Sequence, residues 1–147
     1  GRLPGVDGKS KMSKSQGNAI PLSASPSDIR TAVQRMYTDP DHLRASDPGH
    51  VEGNVVFTYL DAFDPDEEAV AELKSQYRRG GLGDMVLKRR LASILEETIA
   101  PIRERRSELA RDPGTVMDVL RAGTAKAAEI TGNTKELIVE GLGLFRL

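Results

Sequence analysis

With 147 residues, no cysteine and a net charge of −1, the sequence suits one compact domain or slightly more, and excludes disulfides and cysteine-held metal. Apolar residues make up 38% and charged residues 29%, without tryptophan, so the core must be built from Leu, Ile, Val, Ala and Met. Any nucleic-acid contact must come from local clusters of Lys and Arg rather than from bulk charge.

In chain order, residues 1–18 are rich in Gly, Ser and Lys and read as a mobile loop. Ser25-Pro26 supplies an N-cap and a first-turn proline. Ile29, Ala32, Val33 and Met36 then recur at helical spacing, predicting a helix over about 26–37 that Thr38-Asp39-Pro40 ends. Residues 39–50 form a loop holding His42 and His50, which have no partners at metal-ligand spacing, so no metal site is expected.

Asn54 caps a second helix over about 54–63, with Val56, Tyr59, Leu60 and Phe63 on its face. Asp64-Pro65-Asp66 starts a third, presenting Val70, Leu73 and Tyr77, and the run Gly80-Gly81-Leu82-Gly83 breaks it. Asp84 is expected to cap a fourth helix over about 84–111, with a stripe of Leu87, Leu91, Ile94, Leu95, Thr98, Ile102 and Leu109. Pro101 lies inside that stripe and should bend or interrupt the helix near residue 100, because it lacks an N–H and its ring crowds the preceding turn.

Asp112-Pro113 starts a fifth helix, in which Val116, Leu120, Gly123, Ala127, Ile130, Thr134 and Leu137 follow a four-three spacing. Gly123 and Ala127 would admit a close neighbour, and Gly132-Asn133 should weaken the helix midway. No strand is convincing. The fold expected is all-α, an antiparallel bundle of about five helices led by a flexible loop.

The chemistry concentrates in Lys11-Met12-Ser13-Lys14-Ser15, followed by Gly17-Asn18. Two ammonium groups on a pliable segment, with two hydroxyls and the amides near Gly17, suit the oxygens of a polyphosphate. Such a loop can stabilise charge growing on a leaving diphosphate and can close and reopen over a nucleotide.

The five-residue string reproduces the KMSKS signature of class I aminoacyl-tRNA synthetases. The flanking Leu3-Pro4-Gly5, Asp7-Gly8 and Gly17-Asn18-Ala19-Ile20 resemble the bacterial-type tryptophanyl-tRNA synthetases, as do Met36-Tyr37-Thr38-Asp39-Pro40, Asp47-Pro48-Gly49 and Glu52-Gly53-Asn54. So do the segments running from Tyr77 to Asp84 and from Pro101 to Arg106. The resemblance covers essentially the whole chain and implies the C-terminal part of such an enzyme, cut just before the KMSKS loop.

By that resemblance, residues 1–20 are the tail end of a Rossmann catalytic domain otherwise absent, and residues 21–147 are the helical, anticodon-recognising domain. Lys11 and Lys14 would be catalytic, with Lys14 ranked first for stabilising pyrophosphate. Lys11, Met12, Ser13, Lys14 and Ser15 would form the ATP site, with Mg2+ arriving on the nucleotide. The family activates tryptophan with ATP and transfers it to tRNA(Trp), and the parent would dimerise through the missing domain. It would be cytoplasmic, with no membrane partner, since no apolar run approaches the roughly 18 residues that span a bilayer. The absence of cysteine fits a reducing compartment.

The start Gly1-Arg2-Leu3 lacks an initiating methionine, consistent with a start inside a longer protein. The second ATP signature of the family, an HIGH-type motif, is absent, so the chain alone is expected to be inactive.

Among basic residues, Arg89 and Arg103 project away from the stripe centred on Leu91 and are the candidate tRNA contacts, whereas Arg105 falls near the stripe. Three alternatives stand beside this reading: a fragment like the related tyrosyl-tRNA synthetases, a free-standing helical RNA-binding or regulatory module, and a plain helical interaction domain.

Overall fold

A computed structural model describes residues 3–9 and 11–144. They form five helices in the order expected, and among the described residues the only extended pairing is an isolated antiparallel bridge between Pro4 and Lys11. The chain divides into two compact units, Gly1–Glu104 and Arg105–Leu147.

In the first unit, α1 (Pro26–Gln34) starts with a full capping box. The Ser25 side chain accepts from the Asp28 N–H, and the Asp28 carboxylate accepts from the Ser25 N–H. The helix stops at Gln34, three residues earlier than its periodicity suggests. Tyr37 is claimed by tertiary hydrogen bonds instead: its N–H donates to Val6 O and its carbonyl accepts from Val55 N. Lys88 closes the end of α1 by donating to the carbonyls of Gln34 and Met36, both at 3.0 Å, a favourable place for a cation.

α2 (Val55–Phe63) begins where the Asn54 side chain accepts from the Val56 N–H at 3.0 Å. It buries Val55, Val56, Phe57, Tyr59 and Leu60. Burial on several faces leaves no polar face to mark the helical period in its first turn. α3 (Glu67–Arg79) carries Glu67 and Glu68 in its first turn and Arg78 and Arg79 in its last, which suits the helix dipole, and buries Val70 and Tyr77. It ends at Gly80, whose φ of 85° disfavours any other residue; a Cβ there would lie 2.3 Å from the Ser46 carbonyl oxygen.

α4 runs from Asp84 to Ala110 and buries Leu87, Leu91, Leu95 and Ile99, a plain repeat of four. The expected stripe is thus corrected beyond Leu95. Ile99 is the inward residue, while Ile102 and Leu109 are exposed, because a repeat of four advances about 40° per step and turns the buried line gradually away from the expected stripe. The helix continues through Pro101, which does not interrupt it. Asp84 lies in the first turn of the helix; its carboxylate accepts the buried Tyr77 hydroxyl at 2.8 Å and lies 3.3 Å from His42 Nδ1. His42 is buried, with its ring 4.5 Å from that of Tyr77, so this loop histidine belongs to the core.

The second unit holds the end of α4 and α5 (Pro113–Gly141). Asp112 caps α5, accepting from Thr115 N at 3.1 Å. The helix passes through Gly123 and Gly132 and closes with a paired C-terminal bond set: Gly143 N donates to Glu140 O, and Leu144 N to Val139 O, around Gly143 at φ 62°. α5 buries no residue, and nothing lies within 4 Å of a Cβ built at Gly123, so the close neighbour its small residues were expected to admit is not seen. A Cβ at Gly132 also meets open space. Gly132→Ala is therefore expected to stabilise α5 by about 0.5–1 kcal/mol through a smaller loss of backbone freedom, read as higher helicity and a later helix melt by circular dichroism. No gain would mean that this stretch of α5 is not helical in solution.

Candidate polyphosphate-binding loop

The loop over residues 3–20 is strapped to the first unit at its foot. Tyr59, buried on α2, donates its hydroxyl to the Pro4 carbonyl at 2.8 Å, and burial together with the nearby Asp7 charge pushes its acidity down and its pKa up. Val6 N donates to Asn18 O at 2.9 Å and Val6 O accepts from Tyr37 N at 3.2 Å, so the two arms of the loop are tied to each other and the first arm is tied to the chain segment that follows α1.

Above this foot, Met12 is half-buried against the hydrophobic core, while Lys11, Lys14 and Ser15 are exposed. The Ser13 and Ser15 hydroxyls lie 2.9 Å apart. Gly17, at φ 64°, donates its N–H to Lys14 O at 3.2 Å and turns the chain back. The fixed foot and the Met12 anchor leave two lysine side chains projecting from a braced ribbon. Such a surface can meet a diffuse anion with point charges, hydroxyls and backbone amides together.

Asn18 is the residue the motif alone does not single out. It is buried, with 3% of its surface exposed. Its Oδ1 accepts from Ser13 N at 2.7 Å, and its Nδ2 donates to Asp7 Oδ1 at 3.2 Å. Longer contacts of 3.4 Å reach the Lys11 carbonyl and Gln16 Oε1. A Cβ on Gly5 would fall 2.2 Å from this Nδ2, so Gly5 must be bare for Asn18 to occupy its place. In the sequence the trace of this arrangement is an asparagine following a turn glycine, a pairing that does not itself announce burial.

The basic residues expected to meet RNA are placed differently from one another. Arg89 is exposed, and its Nε donates to Met85 O on its own helix at 3.1 Å. It lines, with Arg30, Val33, Met85 and Lys88, a groove of about 370 Å³ between α1 and the first turns of α4. Arg103 is half-buried, and its fork holds Glu96 at 2.5 Å and the Ala24 carbonyl at 2.8 Å. Arg90 is paired with Asp64, Arg78 with Glu52 and Arg79 with Glu72. Arg105, placed near the buried stripe by helical geometry, is exposed and lies 3.4 Å from Glu108.

Among the described residues no group of three or more His, Asp and Glu gathers to hold a metal, and no helix is long and apolar enough to cross a membrane.

Comparison with known proteins agrees with this geometry. The tryptophan–tRNA ligase of Streptococcus pneumoniae is 49% identical over 146 residues, covering 98% of this chain and 43% of that protein. The same enzyme of Clostridium longisporum is 49% identical over 144 residues, with 98% and 42% covered. A crystal structure of tryptophanyl-tRNA synthetase from Campylobacter jejuni, complexed with ADP and tryptophan, superposes with a TM-score of 0.79 at 28% identity, over 98% of this chain and 44% of that one. The chain thus spans less than half the length of the curated relatives it matches. Residues 2–100, which hold the loop, its foot and the helices that anchor it, match the family described as class I tRNA synthetases (W and Y), and the chain belongs to that family.

Proposed function

We propose that the chain is the C-terminal portion of a tryptophan–tRNA ligase, an enzyme that activates tryptophan with ATP and transfers it to tRNA(Trp) in the cytoplasm. The observation that carries this reading is the unaltered KMSKS string, with Lys11 and Lys14 exposed on a braced loop, in a chain 49% identical to such ligases. In the first step the tryptophan carboxylate attacks the α-phosphorus of ATP, an adenylate forms, and the bond to pyrophosphate breaks. Lys14 first and Lys11 second take up the negative charge that moves onto the departing diphosphate, while Ser13 and Ser15 support the loop and the backbone at Met12 approaches the adenine. Mg2+ accompanies the nucleotide and adds charge neutralisation.

Residues 1–20 are the end of the catalytic domain in this reading, and residues 21–147 face the tRNA. Arg89 is the first candidate contact because it is exposed. Arg103 is second, since its fork already holds Glu96 and Ala24. The tryptophan pocket and the dimer contact belong to the portion of the relatives that this chain does not include.

The test is tryptophan-dependent ATP–pyrophosphate exchange. The isolated 147-residue chain is expected to give background only. A chimaera joining it to the preceding portion of the Streptococcus pneumoniae ligase is expected to be active. Exchange by the isolated chain, or a folded chimaera without tryptophan-dependent exchange, overturns the reading.

A further inference from the structure

We infer that Asn18 is the positioning residue of the lysine loop, acting as a latch that works only in partnership with Asp7. The inference deepens the proposed function and rests on the loop's role in binding phosphate. Asn18 touches neither nucleotide nor reacting atoms; it acts through the segment that carries Lys11 and Lys14.

Its amide has one orientation available. Ser13 N–H can only donate, so it must face Oδ1, and the Asp7 carboxylate can only accept, so it must face Nδ2. The amide therefore spans two separate segments of the loop, and the Asn18 backbone carbonyl ties the first of them again by accepting from Val6 N. All of this sits at a buried position, where an unmet polar group is costly to leave. The bond at Ser13 lies between the two lysines in sequence, so the latch sets the backbone from which both ammonium groups extend. Bare Gly5 makes room for it.

The chemistry makes the pair testable by exchange of roles. Asn18→Asp keeps an acceptor for Ser13 N–H but sets a second carboxylate against Asp7. Adding Asp7→Asn returns a donor to the pair with its direction reversed. Asn18→Ala removes the bonds to Ser13 and Asp7 together with the longer contacts to Lys11 and Gln16. In the 147-residue chain, hydrogen exchange at the Ser13 amide is expected to speed up by about tenfold or more in Asn18→Ala and Asn18→Asp, and to return towards the original rate in the Asp7→Asn/Asn18→Asp double variant, because local opening sets the exchange of such bonds.

In the active chimaera, the same two single variants are expected to lower kcat for adenylate formation by about tenfold with the KM for tryptophan unchanged, and the double variant to recover it, because a misplaced charge loses transition-state stabilisation rather than amino-acid binding. Folding is checked by the far-ultraviolet spectrum, which the variants should leave unaltered. Unchanged Ser13 exchange in folded Asn18→Ala overturns the inference, as does failure of the double variant to recover. If lysine replacement slows the enzyme and Asn18→Ala does not, the latch alone is wrong. If neither slows it, the phosphate reading has failed.

Discussion

Replacing Lys14 with alanine in an active enzyme carrying this segment is expected to slow adenylate formation by about a hundredfold, the usual loss when one preorganised donor to developing charge is removed. Lys11→Ala is expected to cost about tenfold on the same scale, and the double variant less than the product of the two, because both ammonium groups serve one diphosphate. The loss should fall on kcat, with the KM for tryptophan unmoved. Both side chains are exposed on the loop, so the unfolding temperature should stay where it was. Single-turnover adenylate formation, read with a melt of each variant, separates these outcomes. A double variant that forms adenylate at the original rate sinks the assignment of the loop, whatever the family resemblance. Lys14→Arg should recover only part of the rate, because a planar fork does not place its charge where a compact ammonium does.

Helix positions were legible where a cap and a period agree. Ser25-Pro26, Asn54 and Asp112-Pro113 all start helices as their side chains dictate, since each accepts a hydrogen bond from an early N–H that would otherwise lack a partner. What was not legible depended on contacts between distant residues. The end of α1 is set by Tyr37 bonding to Val6 and Val55, which no window of sequence contains. Asp84 looked like a cap, yet its carboxylate serves Tyr77. His42 looked like loop filler, and the ring of Tyr77 makes it core.

The candidate site divides in the same way. The lysines, serines and turn glycine declare themselves as a motif because their chemistry faces outward. Asn18 is hidden because its role lies in what it spans: the eleven-residue separation from Asp7 becomes a contact only once the loop has closed. The two arginines chosen by helical geometry illustrate the limit of that geometry. Arg89 and Arg103 both leave the buried stripe, but Arg103 meets Glu96 seven residues back and a carbonyl from the segment before α1. Direction from a helix axis identifies what a side chain leaves and says nothing of what it finds.

Arg90→Leu carries the largest stability effect expected outside the apolar core. Asp64 ends α2 with only 2% of its side chain exposed, and Arg90 grips it through Nε at 2.6 Å and Nη2 at 3.2 Å. Asp64 also accepts from Asp66 N at 3.0 Å, which begins the turn into α3. Losing the guanidinium strands a buried carboxylate between two helices. Full burial would make that worth about 3–5 kcal/mol. Arg90 keeps 36% of its side-chain exposure, so water screens one side of the pair and about 2 kcal/mol is the expected loss at neutral pH.

The pH dependence follows from the sign of the shift. The Arg90 hydrogen bonds hold the Asp64 pKa below the ordinary 3.8, aided by the Asp66 N–H and opposed by burial. A depressed folded pKa gives stability that is present above the unfolded value and is lost as pH falls through the folded one. Without Arg90, burial dominates and the folded pKa rises, so protonation in acid relieves the stranded charge. The gap between the original chain and Arg90→Leu in urea unfolding should therefore be widest at neutral pH and narrow below about pH 4. Asp39 provides the internal control: hydrogen bonds from His50 N–H and Asp41 N–H hold it at about 2, and its acid loss should persist equally in both chains. A gap that stays constant from pH 7 to pH 3 would mean that Arg90 contributes packing rather than charge.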